Sequence, residues 1–270
     1  MVTGVIPYSV PGTIKVFGQE LRQNANYIKT LFGVIPEVSN AFLDYTVSKN
    51  VFFAGRINGL SRHAITERMN QLLADFGLME KINIQTKALS KGLKQRLSFC
   101  MNLVHDPAFL ILDEPTSGLD PLSVQILRNQ ILELRKEGKT ILLTTHDMKE
   151  AEKLCDRVLI MNNGILIADN SPDKLRGLFG GQKQIAFKPV NALDPQQILN
   201  SQSLVGTEKI RQVPNTGYLQ FSSSDPLKNF VTLDHFCTVN NIEVADVRLE
   251  DVTLEDTFIH LIRAGGEKSA

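Results

Sequence analysis

The chain has 270 residues, with 29 Lys+Arg against 29 Asp+Glu, 43% hydrophobic residues and 21% charged ones. That length buries a sizeable core in one large or two smaller domains, and the composition excludes intrinsic disorder. A formal charge of zero argues against holding nucleic acid on a basic surface, so no nucleic-acid partner is expected. No apolar run is long enough to span a membrane, and MVTGVIPYSVPG lacks the basic head and apolar stretch of a secretory signal. Cys100, Cys155 and Cys237 are far apart and form no CxxC, which fits a reducing cytoplasm better than a disulfide framework or a zinc site.

Taken in chain order, Thr13–Phe17 alternates like a strand between Gly12 and Gly18, and a second strand is expected over Ile28–Ile35, ending at Pro36. Residues 39–88 change character. Ser61 can cap a helix whose Ile65, Met69, Leu72, Leu73 and Phe76 recur at helical spacing, stopped by Gly77. A helix after Ser90 carries Leu93, Leu97, Cys100, Met101 and Val104 on one stripe, until Asp106-Pro107. Phe109–Leu112 and Ile141–Leu143 read as strands covered on both faces. Between them, Asp120-Pro121 opens a helix with Leu127, Ile131 and Leu134, closed by Gly138. Val158–Met161 and Ile165–Ala168 flank Asn162-Asn163-Gly164, a hairpin turn. Composition shifts near Leu178-Phe179-Gly180-Gly181. Short strands follow around Ile185–Phe187, Tyr218–Phe221 and Val244–Val247, with a last helix from Thr253. The expected class is α/β, a largely parallel core sheet with helices on both faces, then a small α+β domain over 182–265.

Four motifs carry chemistry. Leu110–Pro115 is an apolar strand ending in Asp113 and Glu114, at the edge where ligands of α/β sheets sit. One carboxylate can hold Mg²⁺ and the next can take a proton from water. Leu89–Arg96 places Ser90, Lys91, Gly92 and Gln95 at a helix N-terminus suited to anions. Ser117-Gly118-Leu119-Asp120 follows the carboxylates. Thr144-Thr145-His146-Asp147 ends a strand that, if parallel to the first, aims His146 at the same crevice. Taken singly, each also has a plain reading: a solvated acidic pair, an ordinary serine cap, a turn, a structural histidine.

In combination and in order, these residues resemble the ATP-binding cassette (ABC) ATPase family over about residues 3–180. LSKGLKQRL is similar to its signature motif, FLILDEP to Walker B with the catalytic Glu, SGLD to the D-loop and TTH to the switch histidine. The tail around Leu249–Phe258 resembles the C-terminal extension of drug- and antibiotic-export ATPases of the daunorubicin-resistance type, which serve ABC-2 permeases. The resemblance implies a P-loop NTPase-like cassette divided into an N-terminal β part with the Q-loop position (1–38), a helical subdomain (39–88), a core (89–181) and an accessory domain (182–265). Two departures are tolerated in this branch: Glu37 stands at the Q-loop glutamine position, and Lys91 where the signature usually has Gly.

A third departure is larger. The phosphate-cradling G-x-x-x-x-G-K-[ST] sequence is absent, and Gly138-Lys139-Thr140 precedes a strand instead of opening a helix. By resemblance, Val2-Thr3-Gly4 looks like the end of the helix after the P-loop. The expectation is a cassette lacking its first strand and P-loop, with one exposed sheet edge.

The resemblance implies an ATP-binding and ATP-hydrolysing subunit of an ABC-2 type exporter, an ABC-type ATPase whose activity alone is left open by the missing loop. It implies ATP and Mg²⁺ as ligands, a separate ABC-2 permease and a second ATP-binding subunit (homo- or heterodimer) as partners, and a place on the cytoplasmic face of the membrane. Asp113 and Glu37 are then expected at the metal, Glu114 as general base and His146 near the γ-phosphate. Ser90, Lys91, Gly92 and Gln95 are expected at the partner's ATP, with Asp120 at the dimer seam. Two rivals remain: a degenerate, non-hydrolysing cassette that supplies its signature in trans, and a cassette protein of translation or repair.

Overall fold

The computed structural model describes residues 13–178, 183–191, 210–213 and 216–266. Val2-Thr3-Gly4 and the glycines at 180–181 lie outside the described residues. The chain divides into two compact units, Met1–Asp147 and Met148–Ala270.

In the first unit, Lys15–Val16 (β1) and Gln19–Glu20 (β2) pair antiparallel across a turn in which Phe17 and Gly18 both take positive φ. Leu21–Thr30 (α1) and Phe32–Ile35 (β3) follow. The sequence suggested one strand over 28–35. Ile28 instead ends up on a helix, because Leu21 and Ile28, two turns apart, bury together against Val16 and Phe32.

Val47–Ile57 (α2) and Arg62–Asp75 (α3) pack on each other and on Lys91–Leu103 (α4). Thr46, Ser61 and Ser90 cap these three helices by accepting N–H bonds from Lys49, Ala64 and Leu93. The loop before α2 is held by buried Asn50. Its Oδ1 accepts from the Phe42 N–H at 2.8 Å, and its Nδ2 donates to the Phe42 carbonyl and Thr86 Oγ1. This polar latch leaves Phe42, Tyr45 and Phe53 clustered at the surface, Phe53 edge-on to the other two rings, beside a groove of about 530 Å³ lined by Tyr45, Lys49, Phe53 and Arg56.

Phe109–Asp113 (β4) and Thr140–Thr144 (β5) complete a parallel sheet ordered β3-β4-β5, with Pro121–Lys136 (α5) between them in sequence. One face carries Ile35, Leu110 and Leu112, all fully buried. The other carries Val34, Ile111 and Leu142 in one register row, with Val34 37% and Leu142 43% exposed. Ile141–Leu143 had read as covered on both faces. The structure covers one, and among the described residues β5 pairs only with β4.

In the second unit, Met148–Leu154 (α6) leads to Val158–Asn162 (β6) and Ile165–Asn170 (β7), whose turn holds Asn163 and Gly164 at positive φ as the Asn-Asn-Gly sequence requires. Pro172–Gly177 (α7) follows. A four-stranded antiparallel sheet then combines Lys183–Pro189 (β8), Arg211–Gln212 (β9), Leu219–Ser223 (β10) and Val244–Asp251 (β11), in the order β11-β8-β10-β9. Pro226–Val239 (α8) closes one face of it, with Leu233, Phe236 and Cys237 against Phe187 and Phe221. The last helix, Leu254–Gly266 (α9), does not join that core. Leu254, Phe258 and Leu261 pack with Ala151, Val158, Ile160 and Leu175, which ties α6, β6 and α7 to the end of the chain. The unit boundary therefore falls before α6, earlier than the composition shift near 180.

Candidate active site

Because β4 and β5 run parallel with Asp113 opposite Thr144, both strands deliver their last residues to the same edge of the sheet. Asp113 Oδ1 accepts a hydrogen bond from Thr144 Oγ1 at 2.5 Å. Glu114 follows at φ 45°, a left-handed conformation that costs a non-glycine residue about 1–3 kcal/mol. Its N–H is shared between the carbonyl oxygen and the hydroxyl of Thr144, at 3.1 and 3.2 Å. The turn brings Glu114 Oε2 within 2.8 Å of His146 Nδ1. His146 stays 78% exposed in its side chain, against 25% for Glu114. The hydrogen bond to Glu114 raises the imidazole pKa above its ordinary value, and the charge of Glu114 adds to this, as do those of Asp147 and Glu37. Glu37 lies exposed just past β3, near enough to act on the same imidazole.

A second group lies at the start of α4. Ser90 is exposed and spends its oxygen on the Leu93 N–H at 3.3 Å. Lys91 Nζ donates to the Ser117 carbonyl at 2.7 Å, which fastens the turn before Asp120. Gly92 is buried where a Cβ would come within 2.8 Å of both Asp120 Oδ2 and Ser123 Cβ, so only glycine fits without displacing α5. Asp120 caps α5 through the Ser123 N–H at 2.9 Å, and its other oxygen accepts from Ser123 Oγ at 2.6 Å. The Ser123 hydroxyl, then its backbone N–H, holds the Asp120 carboxyl below the usual range. Buried Arg96 donates to that same hydroxyl at 2.9 Å. Gln95, also buried, reaches back to the Pro36 carbonyl at 3.0 Å and braces the loop that carries Glu37.

The structure thus gathers Asp113, Glu114, His146 and Glu37 at one sheet edge, and Ser90, Lys91, Gly92 and Asp120 around the α4–α5 junction. Gln95 ties the second group to the first. Thr144, Arg96 and Ser123 were missed as partners. For Thr144 the signal lay in the register that sets it opposite Asp113.

A family model described as ABC transporter matches residues 1–117. The Nod factor export ATP-binding protein I of Rhizobium etli is 32% identical over 267 residues, spanning 95% of this chain and 78% of that protein. The chain belongs to the ABC transporter family. The protein of the same name from Ralstonia nicotianae is 40% identical over 164 residues, 61% of this chain, and the match spans about half of that relative, 51%. Among solved structures, one described as the ATP binding subunit of an ABC transporter superposes with a TM-score of 0.60 at 30% identity, covering 66% of this chain and 74% of that one. The cbiO1 protein of Clostridium perfringens, described as part of an ABC transporter complex, gives 0.58 at 30% identity, covering 66% and 72%. These matches agree with the mixed α/β fold built on a parallel sheet. Within this ABC chain, the Walker B-like strand is β4, the D-loop-like turn is the one Lys91 fastens, and the signature-like segment is the first turn of α4.

Proposed function

We propose that this chain is an ATP-binding and ATP-hydrolysing subunit that energises an ABC-2 type membrane exporter. The observation that carries the reading is the Glu114–His146 pair at 2.8 Å beside Asp113, on the carboxyl edge of a parallel sheet. Asp113 keeps one oxygen clear of the Thr144 bond, and Glu37 adds a second carboxylate at the same edge. An all-oxygen donor set with few carboxylates suits Mg²⁺, which retains several waters. When bound, Mg²⁺ would neutralise charge on the transferring phosphoryl group. Asp113 would hold the ion, with Glu37 its neighbour. Glu114 accepts a proton from the attacking water, and His146, held by Nδ1, presents its other ring nitrogen towards the phosphate side.

Ser90 and Gly92 would meet ATP held by a second subunit, because the exposed N-terminus of α4 attracts anions. Lys91, Gln95 and Asp120 keep that surface in place: Lys91 through the Ser117 carbonyl, Gln95 through Pro36, Asp120 by capping α5. The sequence G-x-x-x-x-G-K-[ST] does not occur among the 270 residues. The aromatic groove of Tyr45 and Phe53, following Glu37 in sequence, supports a contact with a membrane permease. No helix among the described residues is long and apolar enough to cross a membrane, which fits a peripheral place on its cytoplasmic face. Relatives named for Nod factor export support export as the direction of transport. The test is ATP turnover by the chain co-purified with its permease. Glu114→Gln lowers it at least a hundredfold if the reading holds, and leaves it unchanged if it does not.

The exposed, intact α4 N-terminus favours a second reading, a non-hydrolysing subunit that completes a partner's site. It predicts no turnover by the chain alone, turnover with a P-loop-bearing partner, and loss of that turnover in Ser90→Arg. A mixed dimer indifferent to Ser90→Arg excludes it.

A further inference from the structure

We propose that the Thr144 hydroxyl is a positioning group for both acidic residues of the site, aiming Asp113 at a divalent cation and fixing the turn that points Glu114 at His146. The inference rests on the reading of Asp113 as the cation ligand. It stands on a single side chain making two bonds at once: Oγ1 donates to Asp113 Oδ1 at 2.5 Å and accepts from the Glu114 N–H at 3.2 Å. The two bonds use the hydroxyl's only proton and one of its two lone pairs. The first is a charge-assisted bond, short and directional, that fixes how the carboxylate is rotated. It uses Oδ1 and leaves Oδ2 outside this bond.

The second bond supports a residue whose backbone is otherwise unfavourable. Glu114 at φ 45° sits in the left-handed region without being glycine, and such strain persists only where the surroundings over-determine it. Thr144 supplies both acceptors for its N–H, the carbonyl oxygen and the hydroxyl. The sheet register brings Asp113 and Thr144 side by side. Asp113 and Thr144 are opposite residues of parallel strands and share a face with Ile111 and Leu142. A β-branched residue suits a position in strand β5, but valine would satisfy that need equally, so strand propensity alone does not ask for the hydroxyl. Groups that orient a metal ligand typically change metal affinity by tenfold or more when removed.

The experiment is a Mn²⁺ titration of the full 270-residue chain, followed by water-proton relaxation, on the wild type, Thr144→Val and Thr144→Ser. Mn²⁺ stands in for Mg²⁺ as a cation that oxygen ligands prefer. Thr144→Val keeps the shape and deletes only the hydroxyl, so Mn²⁺ affinity is expected to fall about tenfold, with the melting temperature within a few degrees of the wild type. Thr144→Ser is expected to restore it, which a merely structural loss would not do. Should Thr144→Val fail to fold, Thr144→Ala removes the same hydroxyl and takes its place. Equal Mn²⁺ affinity in the wild type and the folded hydroxyl-free variant overturns the inference and leaves Asp113 as ligand. An absence of Mn²⁺ binding in the wild type overturns Asp113 as ligand, and the inference with it.

Discussion

Gly92→Ala is the substitution for which the structure gives the sharpest number. A Cβ there meets Asp120 Oδ2 and Ser123 Cβ at 2.8 Å, tighter than any ordinary contact, and it presses on the Ser123 hydroxyl as well. That hydroxyl receives Arg96 from α4 and donates to Asp120 at the start of α5, so pushing α4 and α5 apart stretches the Arg96 bond that joins them, and the added Cβ disturbs the Ser123–Asp120 cap directly. Overpacking of this kind costs about 1–3 kcal/mol, and weakening the Asp120 cap adds about 1 kcal/mol. Alanine returns about 1 kcal/mol of helix propensity. The net loss is about 1–3 kcal/mol, a drop of roughly 2–10 °C in melting temperature for a unit of this size. Guanidinium and thermal unfolding followed by circular dichroism measure it. Gly177, the last residue of α7, is the control: nothing lies within 4 Å of its added Cβ, so Gly177→Ala should be neutral or stabilise by up to about 1 kcal/mol. A Gly92→Ala chain as stable as the wild type would refute the close-packed junction.

Two predictions concern histidines. An NMR titration of His146 should give a pKa above 6.5, and Glu114→Gln should bring it down, since the bond to Glu114 is the first cause of the rise. An unmoved midpoint would separate the pair. His105 shifts the other way. Its Nε2 lies 2.9 Å from the Phe32 carbonyl, which only accepts, so the neutral ring donates from Nε2 and leaves Nδ1 buried without a partner. Burial lowers its pKa below 6.5, while Asp106 and Lys139 act in opposite senses. The folded state therefore takes up the proton later than the unfolded chain. Stability is full above pH 6.5 and falls as pH drops through the folded value. His105→Gln should flatten that part of the pH–stability curve, and an unchanged slope would contradict the assignment.

Much of this site was readable because its chemistry sits where local rules are strong. Ser61, Ser90 and Asp120 cap helices as their positions suggested, Gly77 and Gly138 take the positive φ that ends a helix, and the apolar run ending in Asp113-Glu114 is a parallel strand. The single conjecture that His146 and the carboxylates share an edge needed only that β4 and β5 be parallel neighbours. What escaped depends on long-range packing. Helix α1 hides because its last residues, 28–30, run directly into the apolar stretch Leu31–Ile35 that reads as a strand. Helix α8 follows a polar, broken stretch, and its apolar side is defined by the sheet it covers. Thr144 and Arg96 stand inside motifs that do not name their partners and Ser123 stands in none, so the roles of all three come from register and from a helix–helix contact. Lys91 looked like an anion ligand beside Ser90, yet its ammonium lies on the Ser117 carbonyl.

The proposal that this chain turns over ATP with Glu114 as base is tested most directly by one comparison. Phosphate release is measured from the membrane complex assembled with wild-type chain and with Glu114→Gln, at saturating ATP–Mg²⁺. The account predicts steady turnover by the first and at least a hundredfold less by the second, at equal complex yield. Equal rates from the two complexes would contradict it.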